Sequence, residues 1–152
     1  MASVDAQAVF ALSPAAAFAA LADLPRRPAL DPTVGSIEAP AFVPEAGAAF
    51  SGWASLTGSD EAFEGSITAY EPDSFLAIGF AFGSGARFHE EWRLSATASG
   101  TLARYRADLR LPGGFVGKLL DRVMVGGGFR KQREAVLLRI KAGLETGGPH
   151  SP

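Results

Sequence analysis

An α+β architecture is predicted by three features of the 152-residue chain. Helix signals stand near both ends, at residues 13–24 and 115–145. Only strand-like segments, separated by Gly, Pro, Ser and Asp, lie between residues 34 and 111. Those segments register as successive hairpins that place apolar residues on one shared face. The length fits one domain, residues 1–145, with TGGPHSP (146–152, carrying His150) expected as a mobile tail.

Residues 3–12 read as a strand. Ser13-Pro14 then starts a helix: serine caps free amides and proline is preset for the first helical position. The run AAAFAALADL continues it until Pro25 and Pro28 stop it. PRRPALDP is a broken connector with one short helical turn. Around Pro72-Asp73, pairing Glu71 with Ser74 sets Ala69 opposite Leu76, Ile67 opposite Ile78, Gly65 opposite Phe80 and Phe63 opposite Phe82. A Gly83-Ser84-Gly85 loop sets Phe80 against Phe88, Ile78 against Glu90 and Leu76 against Trp92. A turn at 97–100 sets Leu94 against Ala103, Trp92 against Tyr105, Glu90 against Ala107 and Phe88 against Leu109. One buried face results, with Glu90 as an acid in its middle. For residues 48–57 the facing stays open, because Phe50, Ala54 and Leu56 compete with Trp53 for the inner side.

The last segment changes face. Val116, Leu120, Val123 and Gly127 form one apolar stripe at helical spacing; Phe129, Val136, Leu137, Ile140 and Leu144 form a second, displaced by about 100°. Gly126-Gly127-Gly128 lies at the jump, at a propensity cost of roughly 3 kcal/mol. A bend, bulge or break near 126–128 follows, and with it room between helix and sheet above Phe80, Phe88, Glu90 and Trp92. Close helix packing or the bend itself would also account for the glycines.

Composition excludes several function classes. There are no cysteines and only two histidines, His89 and His150, so a metal site is not expected. No cofactor is expected: GxxxxGK[ST] is missing, and Gly83-Ser84-Gly85 lacks the flanks of a nucleophile elbow. No signal peptide or membrane span is read, so a cytoplasmic protein is expected. The net charge of −2 speaks against nucleic acid. It hides an asymmetry, net −8 over residues 1–75 and net +6 over 76–152. Either the two halves attract each other, or the basic half meets an anionic ligand or surface.

SPAAAFAALADLPRRPALDP resembles the N-terminal signature of the polyketide cyclase/dehydrase and START-like superfamily, SRPBCC. ITAYEPDSFLAI resembles its strand, Pro-turn, strand segment, SGTLARYRADL its last strand, and FRKQREAVLLRIKAGLE its closing helix. The order of elements is that of the helix-grip fold. One departure is Leu30, where a tryptophan often precedes Asp-Pro. The resemblance implies a curved seven-stranded antiparallel sheet wrapped around a long C-terminal helix, short N-terminal helices, and a deep apolar cavity. It further implies binding of lipids, sterols, polyketides or plant hormones, with some members cyclising or dehydrating polyketides and others acting as assembly factors. No shared catalytic constellation carries over.

The candidate ligand-binding residues are Ile67, Ile78, Phe80, Phe88, Glu90, Trp92, Tyr105, Val123 and Gly127. Glu90 is also the candidate catalytic group, since an acid on an apolar wall should be harder to ionise and could exchange protons with a ligand. Alternatively it is structural, satisfied by water, Tyr105 or an entering arginine. His89, between Arg87, Glu91 and Arg93 on the opposite face, reads as surface. Three functions remain open: a binder of an apolar small molecule, a cyclase or dehydratase using the same cavity, and an interaction protein. The last would meet a partner or membrane through Lys118, Arg122, Arg130, Lys131 and Arg133. Ala77, Gly79 and Ala81 beside Phe75 offer a homodimer patch.

Overall fold

The computed structural model of the chain describes residues 2–56, 58–112 and 127–146. Strand β1 (Ala2–Phe10) leads into α1 (Pro14–Ala22), a tight 3-10 turn at Leu24–Arg26, and α2 (Arg27–Leu30). There follow β2 (Val34–Glu38), β3 (Ala49–Ala54), β4 (Glu61–Glu71), β5 (Phe75–Phe82), β6 (Arg87–Thr97), β7 (Gly100–Arg110) and α3 (Phe129–Thr146). The strands make one seven-stranded antiparallel sheet in the order β1-β7-β6-β5-β4-β3-β2. From β2 onward, neighbours in sequence are neighbours in space; β1 alone crosses the chain to pair with β7.

The N-terminal helix forms for the expected local reasons. Ser13 is extended (φ −66°, ψ 156°), its hydroxyl accepts from the Ala16 amide at 3.2 Å, and Pro14 opens the first turn. Phe18 and Leu21 are its large buried side chains, and Phe18 meets Tyr70 edge-on at 5.1 Å. PRRPALDP holds two short turns, Leu24–Arg26 and Arg27–Leu30, instead of one. In α3 the second apolar stripe is buried as read from spacing. Gly127 adopts φ +118°, outside the right-handed helical region, immediately before α3 begins. A Cβ at Gly127 or Gly128 would meet no atom within 4 Å. Backbone conformation, not close packing, is therefore what Gly127 supplies. Val116, Leu120 and Val123, the first stripe, lie outside the described residues.

The hairpins hold their expected registers with one exception. Ile67 faces Ile78, Gly65 faces Phe80 and Phe63 faces Phe82, but near the turn Tyr70, not Ala69, faces Leu76. The cause is a three-residue loop, Pro72-Asp73-Ser74, with Asp73 at φ +67°. Its extra residue is absorbed by a bulge at Thr68. The β5–β6 and β6–β7 registers are as derived. The open strand is settled too: Phe50, Ala54 and Leu56 are buried, and Trp53 is 54% exposed on the outer side.

Gly65 does not leave a gap on the inner face. A Cβ there would lie 2.5 Å and 2.6 Å from Cε2 and Cζ of Phe50, so the phenylalanine ring occupies the space the glycine vacates. Phe50 also meets Phe63 and Phe80 edge-on at 6.0 and 5.6 Å. Gly65→Ala should therefore overpack this cluster and lower unfolding free energy by about 1–3 kcal/mol. Denaturant melts check this, and adding Phe50→Leu should recover part of the loss.

Candidate functional site

Alternation along β6 turns Phe88, Glu90, Trp92 and Leu94 to the inner face. Glu90 is 1% exposed, and its cross-strand neighbours are Ile78 and Ala107, neither of which offers a side-chain donor. A buried carboxylate needs partners, so they come from elsewhere. Nη1 of Arg27, on α2, forms an ion pair with Oε1. The Trp92 indole Nε1 donates to the same oxygen at 3.3 Å, and the Tyr105 hydroxyl, from β7, donates to Oε2 at 3.2 Å. Arg27 is anchored in turn by Nη2 donating to the Leu21 carbonyl at 3.1 Å, near the C-terminus of α1, where helical carbonyls lack intrahelical partners.

A second ion pair adjoins the first. Arg133 of α3 is fully buried, and its Nη2 lies 3.2 Å from Oδ2 of Asp31. Oδ1 of Asp31 accepts from the Thr33 amide at 2.9 Å and the Thr33 hydroxyl at 2.6 Å. Arg133 Nη1 donates to the Thr33 hydroxyl at 3.2 Å and Nε to the Tyr105 hydroxyl at 3.1 Å. The guanidinium also sits over the Phe88 ring, 4.9 Å from its centre. Tyr105 is thus the joint, accepting from Arg133 and donating to Glu90. The chain Asp31–Arg133–Tyr105–Glu90–Arg27 carries two positive and two negative charges.

The electrostatics follow from burial and pairing. Burial pushes the Tyr105 phenol well above its ordinary value; nearby Arg133 opposes this, and the negative charge of Glu90 reinforces it. The hydroxyl therefore keeps its proton through the neutral range. Burial alone would lower the guanidinium of Arg27, but the charge and hydrogen bond of Glu90 outweigh it and the net shift is upward. Arg133 behaves alike, with Tyr105, Asp31 and Glu90 overcoming desolvation.

The structure brings Ile67, Ile78, Phe80, Phe88, Glu90, Trp92 and Tyr105 together as buried residues of one sheet face. Gly127 is half-buried before α3, and Val123 is outside the described residues. Two expectations change. The room expected directly above Glu90 is taken by the guanidinium of Arg27, one of the occupants foreseen for it. Arg133, read as part of an exposed basic face, is in the core, whereas Arg130 and Lys131 are exposed; Lys118 and Arg122 lie outside the described residues. His89 is on the outer face, its side chain 38% exposed. Arg27, Asp31, Thr33 and Arg133 were not singled out as site residues from sequence. The available signal was spacing: Arg133 stands four residues after Phe129 and four before Leu137, inside the apolar stripe.

The helices are unevenly spread. α3 packs against β1 and α2, α1 against β6 and β7, and α2 against β2. The inner face of β3–β5 presents Phe50, Phe63, Phe80 and Phe82, which continue through Phe88 to Phe129 at 6.3 Å. Among the described residues no cluster of His, Cys, Asp and Glu could hold a metal ion, and no helix is long and apolar enough to cross a membrane.

An open antiparallel sheet holding a C-terminal helix, with short helices inserted after the first strand, defines a helix-grip protein. Residues 1–145 match the family described as polyketide cyclase / dehydrase and lipid transport, and the chain belongs to it. No curated protein matches it in sequence. Among solved structures, TTHA0849 from Thermus thermophilus is similar at 19% identity and TM-score 0.72, covering 97% of this chain and 99% of that one. DR_A0006 from Deinococcus radiodurans is similar at 20% identity and TM-score 0.64, covering 95% and 98%. DynU16, a protein in the dynemicin biosynthetic locus, is 22% identical with TM-score 0.61; the match covers 98% of this chain and 49% of DynU16. At these identities the likeness is one of fold.

Two measurements test the polar cluster. Glu90→Gln leaves Arg27 without its counter-charge and should cost about 3–5 kcal/mol of unfolding free energy, whereas the double replacement Arg27→Met, Glu90→Leu should cost much less than the summed single changes. Because the folded-state Tyr105 phenol lies above its unfolded value near 10, its contribution is fully present below that pH and is lost as pH climbs above it. Melts across the alkaline range should show this decline, and Tyr105→Phe should make it shallower.

Proposed function

We propose that the protein binds a small apolar molecule, of lipid, polyketide or aromatic type, between the inner face of β3–β5 and the C-terminal segment. The observation that carries this reading is the continuous cluster of buried phenylalanine rings, Phe50, Phe63, Phe80, Phe82 and Phe88, on the half of the sheet that the described helices chiefly avoid. Apolar walls with a few convergent polar groups are what ligand pockets are built from. Membership of a family described by polyketide chemistry and lipid transport supports the same substrate class.

Binding accounts for the polar groups better than catalysis does. A general acid or base must present a free oxygen to the reacting atom, and both oxygens of Glu90 are engaged by donors from the protein itself. Native mass spectrometry of protein purified without denaturation is expected to show an added mass released unchanged on unfolding; a ligand returned chemically altered would favour an enzyme. Calorimetry with naphthalene-type probes should give at least about fivefold weaker binding for Phe80→Ala, from lost apolar contact. Phe75→Ala, on the outer face beside Arg93, should leave affinity unchanged. Equal loss in both variants, or none in either, would overturn the assignment.

A further inference from the structure

The outer face of the sheet sorts its charges by strand. Across it, from β2 to β7, one row of facing residues runs Glu38, Ser51, Glu64, Ala81, Arg87 and Arg110. A second row, at the other end of β5, runs Glu71, Phe75, Arg93 and Arg104 from β4 to β7. Both rows have the same layout: an acid on β4, a spacer on β5, and two arginines directly opposite each other on β6 and β7. Facing like charges repel, and every one of these acids and arginines is exposed. Among the described residues Arg87, Arg104, Arg110, Glu64 and Glu71 make no side-chain ion pair, while Arg93 lies 3.9 Å from Glu91 and over the Phe75 ring. Between the two rows the charges are matched within the chain, Arg106 lying against Asp5 and Asp108.

We propose that this face pairs with the same face of a second copy of the chain, about a twofold axis running along β5. Rotation about that axis keeps each residue at its level along the strands and exchanges β4 with β6. Arg87 of one protomer then stands over the partner's Glu64, and Arg93 over the partner's Glu71; symmetry repeats both contacts. The occupant of this face must be acidic where the face is basic and basic where it is acidic, at the same levels and on either side of one strand. The face itself has that pattern. A uniformly anionic partner, such as nucleic acid or an anionic lipid surface, would meet Glu64 and Glu71 with the wrong sign. Stacked sheets lie about 10 Å apart, and the outward residues of β5 between the two rows, Ala77 and Gly79, are small where the copies come closest. Five strands about 4.8 Å apart, each contributing about seven residues of about 3.4 Å, give a face of roughly 24 Å square. That is at the low end for a specific interface, so the dimer is a weak, reversible one held by salt-sensitive contacts. It leaves the inner face of the sheet free.

Sedimentation velocity of the full chain over a concentration series should show a reversible monomer–dimer equilibrium that shifts to monomer as salt rises. Glu64→Arg and Arg87→Glu should each weaken self-association at least about tenfold, because each sets like charges face to face twice in the symmetric pair. Mixing the two variants in equal amounts should restore association, since every contact in the mixed pair again joins opposite charges. Lys131→Glu, at an exposed position of α3, changes the net charge as much as Arg87→Glu and should leave association unchanged. If either single variant folds poorly, the double change Glu64→Arg, Arg87→Glu in one chain makes the same test and should dimerise like the unaltered protein. A monomer at every concentration would overturn the proposal. So would a dimer that both single variants leave intact, or one that neither the mixture nor the double change restores.

Discussion

The ion pair between Arg27 and Glu90 is the constraint from which the arrangement of this protein follows. An acid in the middle of an apolar sheet face is tolerable only when a cation is delivered to it and both are well hydrogen-bonded. The cation comes from a four-residue helix that the flanking prolines isolate, and that helix is held against the sheet by the pair it makes. The same stretch supplies Asp31, which receives Arg133 and so fixes where the final helix lies. Connector, sheet and last helix are therefore tied through a few buried atoms, with Tyr105 shared between the two pairs. Such a cluster is weak evidence for net stability, since desolvation offsets much of the attraction; what it supplies is a single permitted arrangement of three elements.

Three ion pairs run between the two halves of the chain. Arg27 with Glu90, Arg133 with Asp31, and Arg106 with Asp5 each join a residue of the first half to one of the second. Two of these three pairs are in the core. Two of the three, Arg133 with Asp31 and Arg106 with Asp5, join a base of the second half to an acid of the first, and Arg27 with Glu90 runs the other way. An outward-facing basic helix loses Arg133, which turns inward from the first turns of α3. The contact of α2 with α3 adds a steric element: Leu30 packs so close to Gly143 that a Cβ there would lie 2.7 Å from its Cδ2.

Much of this was legible in advance because hairpins obey local rules. Once the turns at Gly83–Gly85 and residues 97–100 were placed, period-two alternation fixed which side chains share a face, and Glu90 emerged as the exception among them. The register failed only near Pro72-Asp73, where turn type and a compensating bulge decide the pairing and neither follows from hydrophobic pattern. The facing of Phe50 against Trp53 was undecidable for a related reason: Phe50 belongs inside because Gly65, on the neighbouring strand, makes room for its ring, a complementarity visible only after pairing. The partners of Glu90 were hidden more deeply. They lie 63 positions away at Arg27 and, through Tyr105, at Arg133 and Asp31, 102 positions from each other. Periodicity carries no information over such separations, and an arginine within an apolar stripe is more often read as a surface residue whose stem lies along the core.

The cluster and the phenylalanines divide one sheet face into a polar part and an aromatic part. Where helices cover the sheet, over β1, β6 and β7 and at the far edge over β2, the buried polar groups are paired with one another. Over β3–β5 the inward-facing side chains are apolar, four phenylalanines beside Ala54, Ile67, Leu76 and Ile78, which favours apolar contact without selecting orientation. Phe88 stands at the boundary, in contact with Phe80 on one side and beneath the Arg133 guanidinium on the other. A molecule lying on the phenylalanines would thus approach a fixed dipolar edge whose position is set by folding and not by the ligand. Because that edge is neutral and internally bonded, the protein can fold before any ligand arrives. On the binding reading proposed above, discrimination among ligands would rest on what the preformed edge rejects more than on what it attracts.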